Sequence, residues 1–400
     1  MIAHPRRDST NERFFAPCPR GLETVLADEL RELGARNPTT TPGGVHFEGS
    51  WTICYRANLE SRVASRILWR VGAAPYRMEQ DIYSAAHQLS WQSWFTPRRT
   101  IKIKVSAQHC PLKSLDFVTL RIKDAICDRM RLSAGRRPDI DTKTPDMLIA
   151  AFLDHDHCTF YLDTSGDPLF KRGWRKSAAE APLRENLAAG ILRLAGWPKE
   201  ITLFDPMCGA GTFAIEAALM ARRIAPGIKR RFAFEKFQHF NERTWRSLRD
   251  SSRAQQLSTC PVSILASDCD KQVLAAAAAN LEAAGVASSV HLAQGDLLDQ
   301  PAPAEVGMLL TNPPYGLRVG AEPELTTLYP SIGDWLKQRF IGWTAYFFTA
   351  DMRFPTLLRL SPSRRVPLFN GAIECRLYEF RVVAGSMRST RRTAKDTAST

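Results

Sequence analysis

Four hundred residues, 44% of them hydrophobic and 24% charged, hold enough apolar material for two or three cores at roughly 100 to 200 residues each, which excludes a disordered chain and a single small domain. No run approaches the roughly 18 apolar residues of a membrane-spanning helix; the start from Met1 to Glu12, with Arg6, Arg7, Asp8 and Glu12 and no apolar core, excludes a secretory signal and reads as a loose tail. Fifty-four basic against 41 acidic residues give +13 at pH 7, which points to a polyanionic partner such as RNA, DNA or a membrane surface.

From Phe14 to Val71 the pattern predicts strand, helix, strand, helix, strand, a small α+β domain. Leu22, Leu26, Leu30 and Leu33 recur at helical spacing until Gly34 ends the helix, and Pro42-Gly43-Gly44 turns the chain into the strand Val45-His46-Phe47. A second unit runs from about Glu79 to Gly166. Ile101-Lys102-Ile103-Lys104-Val105 alternates with period two, so Lys102 and Lys104 share the face opposite three apolar residues. Val118, Ile122, Ile126 and Met130 then mark the buried stripe of a helix whose Arg121, Lys123, Arg129 and Arg131 lie off it. Between Arg98 and Arg137, eleven Lys or Arg face three Asp, a net of +8 that concentrates more than half of the chain's charge upstream of any catalytic motif.

Met147–Leu153 and Cys158–Asp163 predict a hairpin around Asp154-His155-Asp156-His157. That cluster could ligate a metal, but polar residues are expected at a hairpin tip, and no metal is assigned. Nine cysteines, at positions 18, 54, 110, 127, 158, 208, 260, 269 and 375, include no C-x-x-C pair and no histidines at zinc spacing, which fits a reducing cytoplasm. Asp163 to Ala181 reads as a linker. Its Lys171-Arg172-Gly173-Trp174-Arg175-Lys176 sets an aromatic among cations, which suits nucleic acid by stacking and phosphate pairing and equally suits a Trp packed at a domain boundary.

From Leu183 the pattern alternates helices and strands, with strands at Ile201–Phe204, Val262–Ser267, Val290–Ala293 and Met308–Thr311 and helices up to Leu194, over Thr212–Arg223 and over Lys271–Ala284. Such alternation predicts a parallel sheet covered on both faces, with ligands beyond the carboxyl ends of its strands. The first strand runs into Asp205-Pro206-Met207-Cys208-Gly209-Ala210-Gly211-Thr212. Gly209 and Gly211 permit a sharp turn and close approach of a ligand, and Thr212 can cap the following helix. Position 214 is Ala rather than the third glycine of a dinucleotide fingerprint, and Asp205 would repel a pyrophosphate. An acid here suits S-adenosylmethionine, which has no phosphate and carries an ammonium and a sulfonium. Asp268 and Asp296 end the next two strands, placed for the ribose hydroxyls and the adenine amino group; each could instead cap a helix.

Thr311-Asn312-Pro313-Pro314-Tyr315-Gly316 follows the next strand, and its two prolines impose a rigid extended loop. The Asn312 side-chain oxygen and the Pro313 carbonyl can accept both N–H bonds of an exocyclic amino group, and Tyr315 can stack on the base. The motif poses the same planar-nitrogen problem for RNA, DNA adenine and protein glutamine.

These residues resemble the class I RNA guanine-N2 methyltransferases that carry a THUMP domain. The N-terminal part is carried by Phe15-Ala16-Pro17-Cys18-Pro19-Arg20-Gly21-Leu22-Glu23 and Gly43-Gly44-Val45-His46-Phe47, and the THUMP part by Lys123-Asp124-Ala125-Ile126, Leu162-Asp163-Thr164-Ser165-Gly166 and Arg172-Gly173-Trp174-Arg175. Ala181-Pro182-Leu183-Arg184-Glu185 is similar to a helix that closes over the cofactor. The resemblance implies an α/β class I (Rossmann-like) methyltransferase domain over residues 183–385. Before it come an α+β ferredoxin-like domain (13–72), a THUMP RNA-binding domain (73–166) and a linker (167–182); a basic disordered tail (386–400) follows. It is nearest the first half of the bacterial enzymes that make N2-methylguanosine in 23S rRNA, and single-module relatives that modify tRNA are the alternative. The second, 7-methylguanosine-forming half of those enzymes is expected to lie outside this chain. The site then comprises Asn312, Pro313, Pro314 and Tyr315 for catalysis. Asp205, Cys208, Gly209, Gly211, Thr212, Asp268, Asp296 and Asn312 serve the cofactor, and Lys102, Lys104, Lys123, Arg172, Trp174 and Arg175 the RNA.

Overall fold

A computed structural model describes residues 11–175, 183–314 and 322–384; the basic tail from Ser386, Lys176, Ala181, Pro182 and Tyr315 lie outside the described residues. The chain divides into two compact units, one made of Met1–Arg172 with Ile224–Gln256 and the other of Gly173–Arg223 with Leu257–Thr400.

The first unit begins with β1 (Glu12–Pro17), α1 (Glu23–Glu32), β2 (Arg36–Thr41), β3 (Gly44–Gly49), α2 (Trp51–Glu60) and β4 (Leu68–Pro75). Glu12 thus already belongs to a strand. The leucine stripe buries α1, and Gly34, at φ +91°, turns the chain out of it. The unforeseen element is β2, whose Arg-Asn-Pro-Thr-Thr-Thr has no apolar alternation. It is an edge strand pairing only with β3, where little is buried and Pro38 forfeits no ladder bond.

Next come α3 (Glu79–Gln88), β5 (Ile101–Ala107), α4 (Leu115–Ala134), β6 (Met147–Leu153) and β7 (His157–Asp163). Val118, Ile122, Ile126 and Met130 are all buried on α4, which Ser114 caps by accepting from the Phe117 N–H and which Gly135 ends at φ +71°. β4 pairs with β7, so the two N-terminal modules share one seven-stranded sheet in the order β2-β3-β1-β4-β7-β6-β5. What reads in sequence as the start of a linker is also built in. Asp163, Thr164 and Ser165 are buried, Asn58 Nδ2 donates to Thr164 Oγ1 at 2.8 Å, and Arg66 pairs with Asp163.

The second unit opens with α5 (Glu185–Leu194), β8 (Leu203–Asp205) and α6 (Thr212–Ala221). The chain then returns to the first unit for Ile224–Gln256, which includes α7 (Glu242–Ala254). Residues 224–256, which lie within the span 183–385 read as one domain, thus group by their contacts with the first unit. The insertion is aromatic, and its Phe234 and Trp245 pack with Tyr55 of α2, ring centroids 4.5 and 6.2 Å from it.

The remainder is β9 (Ile264–Asp268), α8 (Lys271–Ala284), β10 (His291–Gln294), β11 (Met308–Thr311), α9 (Glu322–Arg339), β12 (Thr344–Thr349), α10 (Phe354–Leu358), β13 (Arg364–Asn370) and β14 (Ile373–Arg381). Sheet order is β10-β9-β8-β11-β12-β14-β13. The first five are parallel as expected, whereas β14 runs antiparallel to both neighbours, a hairpin the alternation pattern does not reveal. The sheet grows outward from β8 to β10 and then crosses back to place β11 against β8. The carboxyl ends of β8 and β11 flank that switch point, where open α/β sheets bind ligands. Behind them, Phe204, Leu309, Tyr329, Phe340, Trp343, Phe347 and Phe354 form one core.

Candidate active site

The turn after β8 is tied into the sheet by its backbone. Cys208 N–H donates to the Ser267 carbonyl at 2.9 Å, and Gly211 N–H to the Cys208 carbonyl at 2.9 Å. Gly209 and Gly211 have φ of +54° and +79°, a region that side chains other than glycine's rarely enter. Their surroundings differ. A Cβ on Gly211 would touch Ala277 of α8 at 3.4 Å, whereas one on Gly209 meets nothing within 4 Å. Gly211 thus serves helix packing, and Gly209 borders open space into which a Cβ would project. Gly209→Val is expected to weaken S-adenosylhomocysteine binding at least tenfold in calorimetry, while left-handed strain costs stability only about 1–2 kcal/mol; unchanged binding would remove Gly209 from the cofactor cradle.

The three acids take different roles. Asp205 is fully buried and accepts from Thr311 Oγ1 at 2.7 Å, which ties the end of β8 to that of β11. Burial, reinforced by Asp268, pushes its carboxyl up to about 7 against the hydrogen bonds from Thr311 and the Met207 N–H. A carboxyl raised on folding binds its proton more tightly folded than unfolded. Its contribution is complete below the unfolded value of about 3.9 and is lost as pH rises through the folded value. Asp205→Asn is therefore expected to gain stability relative to the parent between about pH 4 and 7, with a constant difference above. Urea denaturation across that range reads it, and a pH-independent difference would mean that Asp205 is ionised throughout.

Asp268 is half-buried and accepts from Gly209 N–H at 3.0 Å and Asp270 N–H at 3.1 Å. Asp270 rather than Asp268 caps α8, so Asp268 shapes the glycine turn and keeps further acceptor sites for a ligand hydroxyl. Asp296 is exposed and caps the short turn Leu297–Asp299 through the Leu298 N–H at 2.9 Å. Thr212 does not cap α6: Gly211 occupies the cap position, and the Thr212 hydroxyl instead accepts from Arg175 Nη2 at 3.1 Å. Cys208 is buried, which raises its thiol pKa far above the usual range and leaves it packed and inert.

Asn312 follows β11. Its Oδ1 is buried and has no hydrogen-bond partner among the described residues, an arrangement that costs folding energy unless a ligand donor completes it. Pro313 is buried, and the Pro314 carbonyl accepts from Tyr329 Oη at 2.7 Å. Tyr329 is fully buried on α9, so the loop is fixed from beneath. Tyr315 lies outside the described residues.

The residues assigned to RNA separate into two groups. Lys104 is exposed, Lys102 donates to the Thr142 carbonyl at 2.8 Å, and Lys123 pairs with Asp124 at 3.0 Å. Arg172, Trp174 and Arg175 are internal, which corrects their assignment. Arg172 is buried and donates to the carbonyls of Leu169 and Arg62 at 2.7 and 2.6 Å. Trp174 is buried, with the Arg175 guanidinium 5.0 Å from its ring. Arg175 also pairs with the buried Glu185 at 2.9 Å and donates to the Leu183 carbonyl at 3.0 Å. An aromatic among cations looks the same in sequence whether it faces solvent or packs inside.

At the hairpin tip, Asp154, Asp156 and His157 bring potential ligand atoms within 4.8 Å of one another, but Asp154 Oδ1 already accepts from two backbone N–H groups of the turn. Sequence reasoning passed over Asn280. It is buried on α8 and donates to the Ala210 carbonyl at 3.1 Å, bracing the glycine turn. The available signal was a lone amide on the apolar stripe of Leu274, Ala277 and Leu281.

A family model described as the RMKL-like methyltransferase domain matches residues 172–379; those of the RlmL ferredoxin-like domain and the THUMP domain match 13–68 and 76–163. A Synechocystis sp. protein whose name assigns it provisionally to the RNA methyltransferases is 36% identical over 373 residues, covering 93% of this chain and 97% of that one. The ribosomal RNA large subunit methyltransferase K/L of Aeromonas hydrophila is 37% identical over 407 residues, covering 97% of this chain and 57% of its own length. The chain thus spans little more than half of the K/L proteins it matches. A crystal structure of a provisionally assigned methyltransferase complexed with SAH superposes with a TM-score of 0.87 at 28% identity, covering 94% of this chain and 100% of that one.

Proposed function

The chain belongs to the RMKL-like methyltransferase family, and from that premise we propose that it methylates the exocyclic N2 of guanine in 23S ribosomal RNA, using S-adenosylmethionine, in the cytoplasm. The observation that carries the reading is the buried Asn312 Oδ1, without a hydrogen-bond partner among the described residues, just after β11, the strand adjacent to the one that leads into the open glycine turn.

The residues fit that cofactor. Gly209 borders open space, and Asp268 retains acceptor capacity beside it. When bound, S-adenosylmethionine supplies an electrophilic methyl group on a sulfonium. The chain's own task is to present the nucleophile. An aromatic amino nitrogen is a poor one because its lone pair is shared with the ring. Asn312 Oδ1 accepts one of its N–H bonds, and the Pro313 carbonyl is the acceptor for the other. Both interactions strengthen as the nitrogen becomes positive. The rigid Pro-Pro loop, braced by Tyr329, holds the nitrogen in line. The cationic product nitrogen is acidic enough to lose its proton to water, so no strong base is required.

The THUMP match, the names of the relatives and the basic segment around α4 support RNA. Fully free cysteines suit a reducing compartment. The K/L relatives favour rRNA; the Synechocystis protein, matched almost end to end, is named for RNA without its class, and tRNA stands as the second reading. One experiment separates them. Labelled S-adenosylmethionine and purified chain are incubated with rRNA and tRNA from cells lacking the protein, and nucleosides are resolved. N2-methylguanosine in 23S rRNA is expected; label confined to tRNA would establish the second reading instead, and label in neither RNA would overturn the proposal.

A further inference from the structure

The seven-stranded sheet of the first unit has a face that the catalytic reading leaves unused. Strand register places its residues. Phe15 on β1 opposes His46 on β3 and Leu68 on β4; Arg70, two residues on, opposes Tyr161 on β7; Tyr161 and Lys104 both oppose Ala150 of β6. Because side chains alternate across a strand, these residues share the side opposite Phe14, Phe47 and Trp69, which belong to the core. On β6 every second residue is buried and the alternates, Leu148, Ala150 and Phe152, are only half-buried, the signature of a sheet with one covered and one open face.

The centre of that face is aromatic. His46 is exposed and Phe15 half-buried, with ring centroids 4.8 Å apart and planes at 37°; Tyr161, itself buried, lies beneath them in the sheet 6.2 Å from Phe15. Gly44 supplies the seat. A Cβ there would come within 2.5 Å of the Phe15 ring, so the ring lies over the Gly44 backbone. Gly43 has positive φ, whereas Gly44, the first residue of β3, does not; there a side chain is excluded by the Phe15 ring and the Ala16 carbonyl. Cations border the rings: Arg70 beside Tyr161, and Lys102 and Lys104 on β5. The acids of this face are occupied, Glu48 by Arg13 at 3.7 Å and Asp163 by Arg66.

We propose that this face is a platform for an unpaired stretch of the substrate RNA, with Phe15 and His46 stacking on bases and Arg70, Lys102 and Lys104 holding phosphates. Flat rings interleaved with cations on an open sheet suit single strands, because a duplex hides its base faces in its own stack. The inference rests on the RNA reading above and goes beyond it by naming the surface and the state of the RNA.

The test uses the full chain and a single-stranded RNA of about 12 nucleotides, with the same sequence as a duplex, titrated by fluorescence anisotropy over a range of salt. The parent should prefer the single strand. Phe15→Leu with His46→Ala should weaken single-strand binding at least tenfold while leaving duplex affinity and S-adenosylhomocysteine binding unchanged. Lys102→Gln with Lys104→Gln, a surface change that spares the rings, should flatten the salt dependence by about 1.4 in log–log slope, at roughly 0.7 per lost phosphate contact. Unaltered binding in both double variants, or equal loss for single strand and duplex, overturns the platform. A parent that binds no RNA at all overturns the RNA reading itself.

Discussion

Asn312→Ala is expected to lower turnover about 10²- to 10³-fold, the usual effect of removing one preorganised polar group that acts on developing charge, with S-adenosylhomocysteine affinity changed by no more than about twofold. The asymmetry follows from where the amide oxygen sits. Oδ1 is buried without a partner among the described residues, so its deletion removes an acceptor from the reacting nitrogen and leaves no stranded donor behind. The glycine turn is braced elsewhere, by Asp268 and Asn280, and should keep its shape. Single-turnover kinetics and calorimetry read the two quantities separately. Loss of cofactor binding alongside turnover would move Asn312 from the substrate to the cofactor, and unchanged turnover would remove it from the mechanism.

Arg175→Met should destabilise the protein by about 3–5 kcal/mol, since removing one partner of a buried ion pair strands the other. Side chains of Arg175 and Glu185 are only 16% and 6% exposed, and the guanidinium joins Glu185, the Leu183 carbonyl and the Thr212 hydroxyl at the start of α6. Replacing Glu185 by Gln in the same chain removes the stranded charge and should recover most of the loss. Chemical denaturation of both variants checks this. A single variant as stable as the parent, or a double variant no better than the single, would show that the pair does not hold this segment against α6.

Where one chemical feature admits one placement, the sequence was enough. Leu22, Leu26, Leu30 and Leu33 have a single helical face to bury, and Val118 to Met130 likewise; both stripes are buried. β11 occupies the span read from its apolar run, Met308–Thr311. Gly209 and Gly211 adopt the positive φ that a turn between strand and helix demands. Features whose meaning depends on a distant partner were misread or missed. β2 is polar and exists because β3 offers it an edge. Arg172, Trp174 and Arg175 have the composition of a nucleic-acid grip, yet inside the protein the two arginines find carbonyls, a carboxylate and a hydroxyl, and the buried Trp174 ring packs against the Arg175 guanidinium. Asp270 rather than Asp268 became the helix cap because two residues shift which carboxylate reaches the first free N–H groups of α8.

The sequence by itself determined the class of chemistry: a glycine turn followed by Thr212, acids suited to a cationic cofactor, and a proline-stiffened Asn312 all depend on local residue type and spacing, which adjacent positions encode. Tertiary structure alone decided that Ile224–Gln256 joins the first unit, that the two N-terminal modules share a sheet, and that Phe15, His46 and Tyr161 meet on one face. Those outcomes rest on pairings between strands and aromatic surfaces far apart in the chain. No periodicity within one segment can specify which distant surface will complete it.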